Sequence, residues 1–248
     1  MFAPGDPYDL VEVLTKADAG DVDAMIDAVI ILASEGYTDK GGDADIHERQ
    51  IGYLRKLIDE KWDPAYIMLA DHYVDGTGVE QNIDEAIRLY EKAAENGIDF
   101  GFECIGTLYF EGIHVAKDYK KAFSYFKKIR KNRRNLMVRY ALGEMYRLGL
   151  YVRKNEKKAV EFYADAVYKM DMDKETDPYF WKCCFRLSQS KHHGWGTEID
   201  LDEAFRLMRK IKENVKPLEH AGTVWNLDIT RDEFLSEWVS VNHELRNF

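Results

Sequence analysis

The chain has 248 residues, of which 46% are apolar, five are proline and three are cysteine. This composition excludes a disordered chain and a disulfide-rich secreted domain, and no run approaches the roughly 18 apolar residues of a membrane span. The net charge of −10 is unevenly distributed, since residues 1–100 contain 8 basic and 23 acidic side chains whereas residues 101–170 contain 16 and 7. The first ten residues lack the basic and apolar regions of a secretory signal, so we expect a soluble cytoplasmic protein.

The first 60 residues predict a helical cap followed by an irregular helical hairpin. Leu10, Val11 and Leu14 have helical spacing and predict a short capping helix within residues 1–23. Residues 24–60 predict a degenerate repeat with its joint at Gly36 and its second helix in the sequence IGYLRKLI.

Four more regular units follow, at residues 64–97, 100–130, 137–168 and 178–212. Each has a glycine, an alanine ten residues later and a large apolar side chain four residues after that. The glycines are Gly76, Gly112, Gly149 and Gly194, the alanines Ala86, Ala122, Ala159 and Ala204, and the large side chains Tyr90, Phe126, Tyr163 and Met208. The glycine spacings of 36, 37 and 45 residues are typical of helical-hairpin repeats. We predict that each glycine joins two helices and that each alanine marks a close helix contact.

Local signals mark the helix ends of these units. First helices follow Asp63-Pro64 and Asp177-Pro178, each an N-cap residue before a proline at the first helical position. Glu85 completes a capping-box spacing with Asn82, and Asn96-Gly97 predicts a left-handed helix end. The second helices begin after the capping residues Asn82, Asp118, Asn155 and Asp200.

The repeated pattern resembles the Sel-one-like repeat family, a relative of the tetratricopeptide repeats. The third unit carries the pattern with Leu142-Gly143, Tyr146, Gly149, Val152, Asn155, Lys158-Ala159 and Tyr163, and the first unit with Leu69, Ala70, Tyr73, Gly76, Gly78, Val79, Asn82, Ala86, Tyr90, Ala93, Ala94 and Gly97. His114 and Tyr151 replace the second glycine, and Lys191 replaces the first-helix tyrosine of the last unit. The resemblance implies an all-α, right-handed α-solenoid of helix-turn-helix repeats with terminal capping helices, which binds other proteins.

The C-terminal segment, residues 217–248, predicts the second capping helix. Thr230 and Glu233 have capping-box spacing, and one helical stripe follows, formed by Phe234, Trp238, Val241 and Leu245. With this segment, we predict that residues 1–248 form a single solenoid domain.

Two features suggest a ligand, and their context argues against both. Gly76-Thr77-Gly78 has the glycines of a phosphate-binding loop, but it follows a predicted helix and continues into Glu80. The last unit contains four residues of types that bind metals, namely Cys183, Cys184, His192 and His193. Cys183 and His192 would lie about 13 Å apart along one helix, which is too far for two ligands of one zinc ion. We therefore predict no cofactor and no metal site, and we interpret the cysteines as packing residues.

Two groups of side chains are candidates for binding another protein or peptide. The basic run 127–134 is either a solvated helix end or a docking patch for an acidic surface, and it contains Lys127, Lys128, Arg130, Lys131, Arg133 and Arg134. The net negative charge and the absence of a reading motif argue against nucleic acid. The second group comprises first-helix residues expected on a concave groove, namely Asp71, His72, Glu103, Thr107, Tyr140, Glu144, Phe185 and Gln189. Tyr140 and Phe185 would anchor a partner if exposed, and the alternative is that the group completes packing within the hairpins.

The sequence therefore favours an intracellular adaptor or regulatory subunit that holds a protein partner in its concave groove. The alternative is an inhibitor or immunity-type protein that blocks an enzyme or toxin through the acidic N-terminal half. No nucleophile, base and orienting acid occur in a recognisable arrangement, so we do not expect an enzyme.

Overall fold

A computed structural model describes residues 7–33, 44–129, 135–170, 172, 175–215 and 231–246 of the chain. The regular structure in these ranges is helical throughout, which confirms the predicted all-α class. A π-helical turn, Leu108–Gly112, directly follows the helix Phe100–Thr107. The helices are α1 (Pro7–Asp18), α2 (Val22–Leu32), α3 (Ala44–Asp59), α4 (Pro64–Asp75), α5 (Ile83–Glu95), α6 (Phe100–Thr107), α7 (Tyr119–Phe126), α8 (Leu136–Leu148), α9 (Glu156–Val167), α10 (Pro178–His193), α11 (Leu201–Val215) and α12 (Arg231–Arg246).

These helices belong to two compact units, Met1–Arg130 and Lys131–Phe248, here called unit 1 and unit 2. In unit 1, α4 packs on α5 and α6 packs on α7, and in unit 2, α8 packs on α9 and α10 packs on α11. Consecutive helices thus form the four predicted hairpins. The domain boundaries inferred from the sequence stay a prediction. None of the described helices is both long and apolar enough to cross a bilayer.

Each hairpin turns at its repeat glycine, as predicted. The backbone φ is 71° at Gly76 and 74° at the other three joints, a left-handed conformation that favours glycine because it has no Cβ. The second-glycine position keeps this conformation even where glycine is replaced, with φ of 55° at His114 and 64° at Tyr151. The backbone geometry of the turn is therefore a stronger constraint than the residue type.

The predicted N-caps of the four second helices are confirmed. The side-chain oxygens of Asn82, Asp118, Asn155 and Asp200 accept hydrogen bonds from backbone N–H groups three residues later, at 2.9 to 3.0 Å. These bonds satisfy N–H groups that have no partner within the helix, and they determine where the second helix begins.

Two details of the predicted capping are wrong. The Glu85 carboxylate does not accept a hydrogen bond from the backbone at the start of the helix, because it accepts two from the Arg88 guanidinium, at 2.6 and 2.9 Å. Asp63 has a helical backbone with φ of −55° and makes no cap bond, since its carboxylate accepts a hydrogen bond from the Asn96 amide at 2.5 Å. Asp177, by contrast, caps α10 by accepting from the Tyr179 N–H at 2.8 Å.

Small residues let the two helices of a hairpin approach each other closely. A Cβ added at Gly143 would lie 2.2 Å from Cε1 of Tyr163, and one added at Gly106 would lie 2.3 Å from Cε1 of Phe126. The four repeat alanines are at most 2% exposed, as close helix contacts require. In these two hairpins an aromatic ring of the second helix therefore packs directly on the backbone of the first.

The C-terminal helix α12 packs on the last hairpin of unit 2. The Phe234 ring lies 6.1 Å from that of Phe185, Trp238 stacks on Phe205 at 5.5 Å, and Val241 is fully buried. This matches the predicted capping helix, whereas Thr230 of the predicted capping box lies outside the described residues.

The N-terminal helix α1 exists, and the apolar stripe predicted for it is correct in part, since Leu14 packs against the core of unit 1. Val13 and Ala17 are buried, whereas the predicted Val11 is 65% exposed. Gly36, the predicted joint of the degenerate repeat, lies outside the described residues. Its two flanking helices, α2 and α3, pack against each other.

Candidate functional site

A cavity of about 280 Å³ opens in unit 2 beside the joints of its two hairpins. Its walls are formed by the end of α8 with its following turn, by α9, and by the end of α10 with its following turn. We call it the Trp195 cavity, and it is lined by Arg147, Leu148, Lys154, Glu156, Ala159, Tyr163, Ser190 and Trp195.

The cavity has two exposed apolar side chains at its edge. Trp195 is 41% exposed and stands between the left-handed Gly194 and Gly196, with its ring stacked on that of His193 at 4.6 Å. Leu148, the last residue of α8, is 52% exposed because the helix ends beside it at Gly149. Trp195 and Leu148 thus offer apolar surface to a ligand, and the stacking on His193 limits how far the indole must reorient on binding.

Basic side chains surround the start of α9 next to this cavity. Arg153, Lys154, Lys157 and Lys158 are all exposed, and the nearby acidic side chain is Glu156, which pairs with Lys154 at 2.8 Å. Four cations within six residues produce a positive potential that attracts anionic groups. The cavity thus combines apolar contact area with a positively charged rim.

A network of charged side chains lies beside the cavity and shares Arg147 and Tyr163 with its lining. The Tyr163 hydroxyl donates to Glu144 Oε1 at 2.5 Å, and the Arg147 guanidinium donates to both Glu144 oxygens at 2.6 and 2.8 Å. Arg186 Nε lies 3.3 Å from Glu144, and its Nη1 donates to Glu233 of α12 at 2.8 Å. The network therefore connects α8, α9, α10 and α12.

These contacts determine the protonation of the network. Burial raises the pKa of Glu144, but the hydrogen bonds from Arg147 and the charge of Arg186 outweigh it and hold that pKa below its ordinary value. Burial, reinforced by the neighbouring carboxylate, raises the pKa of Tyr163. Glu144 is therefore ionised and Tyr163 is neutral near pH 7, so that the hydroxyl serves as a hydrogen-bond donor.

The groove residues predicted in unit 2 are buried. Tyr140 is 0% exposed and Phe185 is 1% exposed, so the exposure that an anchor requires is not met, and both rings pack in the core. Glu144 supports the network described above, and Gln189 accepts a hydrogen bond from Arg186 at 2.9 Å. The alternative interpretation was packing within the hairpins, but Tyr140 and Phe185 also pack beyond their own hairpins, on Tyr179 and Phe234.

The groove residues predicted in unit 1 are more accessible. Asp71 is exposed and accepts a hydrogen bond from the Tyr90 hydroxyl at 2.5 Å, as Glu144 does from Tyr163. His72 Nδ1 lies 2.8 Å from the carbonyl oxygen of Thr77 in its own turn. Glu103 and Thr107 are half-buried, and the Thr107 hydroxyl donates to the Glu103 carbonyl at 2.8 Å. Contact of these four with a partner stays a prediction.

The predicted basic run lies only partly within the described residues. Lys127 and Lys128 are exposed, and the Lys128 ammonium sits 4.6 Å from the centre of the Tyr125 ring. Arg130, Lys131, Arg133 and Arg134 lie outside the described residues. The choice between a solvated helix end and a docking patch therefore stays open here.

The sequence interpretation missed Trp195, Leu148 and Lys154. A signal was present, because a tryptophan between the two joint glycines has no role in the repeat and the first unit has Thr77 at that position. No local signal places Leu148 and Lys154 of one hairpin beside Trp195 of the next.

The cysteines of α10 do not form a reactive or metal-binding site. Cys183 and Cys184 are fully buried in the core of unit 2, and this burial raises the pKa of both thiols. Across the described residues, the His, Cys, Asp and Glu side chains that come close enough to share one metal ion are His192, His193 and Glu237.

Comparison with known proteins identifies the repeat. A protein-family model described as Sel1 repeat matches residues 63–98, 105–131, 137–167 and 181–214, which together are just over half of the chain. A Sel1 repeat protein from Oxalobacter formigenes superposes with a TM-score of 0.65 at 22% identity, covering 86% of this chain and 58% of that one. A protective antigen present in uropathogenic Escherichia coli strains, displaying an SLR fold, gives 0.62 at 21% identity, covering 96% and 56%. These two likenesses concern the fold alone, and this chain spans less than two thirds of either structure.

Proposed function

The chain belongs to the Sel1 repeat family, and we propose that it is an adaptor or regulatory subunit that binds an acidic segment of another protein at the Trp195 cavity. Sel1 repeat proteins are generally protein–protein interaction scaffolds and typically have no enzymatic activity. In this proposal the protein acts in the cytoplasm, and its described helices offer no membrane span.

The observation that carries the proposal is an exposed indole beside a cavity with a basic rim. Tryptophan and arginine are enriched among residues that contribute most to binding, and Trp195 and Arg147 line the same cavity. The cavity volume of about 280 Å³ suits one or two side chains of a peptide rather than a folded domain. The partner segment would place an apolar side chain beside Trp195.

The charge of the rim indicates the chemistry of the partner. Arg153 lies beside Lys154 in the turn before α9, and Lys157 and Lys158 lie in the first turn of α9. All three are exposed. An acidic segment would gain Coulomb attraction there, which speeds association and weakens with salt. We therefore propose an acidic peptide with one large apolar residue as the minimal ligand.

The proposal is tested by binding to an array of acidic peptides, each with one aromatic or aliphatic residue. The full chain is compared with Trp195→Ala and with Phe100→Ala, a control that removes a 45% exposed aromatic side chain of unit 1. We expect at least one peptide to bind, and Trp195→Ala to weaken it by more than about tenfold, the loss expected for a central aromatic contact. Equal losses in both variants, or no bound peptide, would reject the Trp195 cavity as the binding surface.

A second candidate function is inhibition of an enzyme or toxin by unit 1. A smaller cavity of about 210 Å³ lies between α1 and α2. It is lined by four acidic side chains, Glu12, Asp21, Asp23 and Asp27, and by the basic side chain of Lys16. Three exposed aspartates in this arrangement favour a basic partner side chain. Assaying the activity of a captured partner with and without the chain separates the two functions, because an inhibitor abolishes that activity and an adaptor does not. Asp23→Asn with Asp27→Asn would weaken only the inhibitor complex.

A further inference from the structure

We propose that His192, His193 and Glu237 form a binding site for a zinc-type divalent metal ion, which fastens α12 to the last hairpin of unit 2. This proposal does not rest on the proposed function, because it concerns the junction of α10 with α12, although the ligand His193 also stacks on Trp195. Imidazole nitrogen and carboxylate oxygen are ligands that Zn²⁺ accepts in both structural and catalytic sites.

The three side chains already converge on one point. His192 Nδ1 lies 2.7 Å from Glu237 Oε1, His193 Nε2 lies 3.3 Å from Glu237 Oε2, and ligand atoms of all three fall within 4.8 Å of one another. Ligands bound to zinc at about 2.0–2.1 Å in a tetrahedron lie roughly 3.4 Å apart. Side-chain rotations that bring the three ligand atoms from within 4.8 Å to this spacing would admit the ion.

A neutral His192 cannot donate hydrogen bonds from both ring nitrogens to the two carboxylates that face them. Its ring is 1% exposed and both nitrogens face carboxylates, since Nδ1 faces Glu237 and Nε2 lies 3.1 Å from Glu244 Oε1. A neutral imidazole has one N–H, so one nitrogen lone pair would face a carboxylate oxygen. The buried Nε2 moreover makes no well-directed hydrogen bond.

A metal ion on the Nδ1 side of His192 resolves this arrangement. The lone pair of Nδ1 would then ligate the ion together with His193 and Glu237. Nε2 would keep its proton and donate to Glu244, whose side chain is 48% exposed and can adjust. A carboxylate that orients a ligating histidine through its other nitrogen is the usual support of zinc sites.

The burial of the site suits binding from solution. Glu237 and His192 are buried, at 9% and 1% side-chain exposure, whereas His193 is 36% exposed and leaves a path for the ion. The two buried ligands belong to different helices, so a bound ion adds a link between α10 and α12 beyond their apolar contacts. Zinc binding should therefore stabilise the attachment of α12.

The test uses the full chain, stripped with a chelator and titrated with Zn²⁺ or Mg²⁺ by isothermal calorimetry. We expect about one Zn²⁺ per chain with a Kd below about 10 μM, together with a rise in Tm that the chelator reverses. Mg²⁺ should not bind, because it requires an octahedral set of oxygen ligands.

Variants distinguish this site from adventitious binding. His193→Ala and Glu237→Gln should each weaken Zn²⁺ binding at least about tenfold and abolish the Tm rise. His114→Asn, which removes an exposed histidine of unit 1 at a left-handed position that asparagine tolerates, should change neither. The proposal would be overturned if the original chain did not bind Zn²⁺, or if His193→Ala bound it unchanged. The three side chains would then only hydrogen-bond α10 to α12.

Discussion

Replacing Gly143 by alanine tests how the helices of a hairpin pack. The new Cβ would lie 2.2 Å from Cε1 and 2.8 Å from Cδ1 of Tyr163, far inside van der Waals contact. The Tyr163 ring is 0% exposed and its hydroxyl is bonded to Glu144, so it cannot move aside without losing contacts. Overpacking of this kind costs about 1–3 kcal/mol, whereas glycine to alanine in a helix gains about 1 kcal/mol. With so severe a clash, we expect a net loss of about 2 kcal/mol.

Gly52→Ala is the matched control for this prediction. Gly52 is also helical, in α3, but no heavy atom lies within 4 Å of the position of an added Cβ. That variant should gain about 0.5–1 kcal/mol from helix propensity alone. Urea denaturation followed by circular dichroism would measure both changes. If Gly143→Ala is as stabilising as Gly52→Ala, the close contact between α8 and α9 does not exist and the inferred packing of the hairpin is refuted.

Two further predictions concern the core and the charges of unit 2. Ala159→Leu should overpack the position where Ala159 is 2% exposed and lower stability by about 1–3 kcal/mol, and an unchanged melting temperature would count against the register of the repeat. Glu144→Gln should cost about 3 kcal/mol near pH 7, because it leaves Arg147 without a carboxylate and the buried Arg186 with Glu233 alone. Since the pKa of Glu144 is held below its ordinary value of 4.5, its contribution is complete above that pH and is lost as the pH falls through the lowered pKa. Melting curves from pH 7 to pH 3 should therefore converge for the original chain and Glu144→Gln, and parallel curves would contradict this assignment.

Features determined by local sequence were predictable. The left-handed joints and the N-caps depend on residues within about one helical turn, so Gly76 and Asn82 could be assigned from their neighbours alone. The same local rule failed at Asp63, because a side chain 33 positions away, Asn96, competes for its carboxylate.

Features that depend on contacts between helices were not predictable. Glu144 and Asp71 appeared to be groove residues that the repeat does not require, yet each accepts a hydrogen bond from a tyrosine 19 positions later. Where that aromatic position has no hydroxyl, at Phe126, the equivalent first-helix residue is the uncharged Thr107. The acidic residue and the tyrosine therefore occur as a pair, a relation that helical periodicity within one helix does not reveal.

The candidate site shows the same limit. A protein partner was expected from the sequence, but the basic patch was predicted at residues 127–134 and the apolar anchors at Tyr140 and Phe185. Both are buried, and the exposed aromatic side chain that lines the cavity is Trp195 in a turn. Side chains in turns are not constrained by the period of a helix, so hydrophobic spacing carries no information about their exposure.

The most direct test of the account is the affinity of the acidic peptide selected from the array at about 50 and about 200 mM salt, measured for the original chain, Trp195→Ala and Phe100→Ala. We predict that the original chain binds more weakly at the higher salt, because the exposed cations of residues 153–158 attract an acidic segment. Trp195→Ala should lose more than about tenfold at both concentrations, whereas Phe100→Ala should bind like the original chain. An affinity that ignores both salt and the loss of Trp195 would contradict the proposed binding surface.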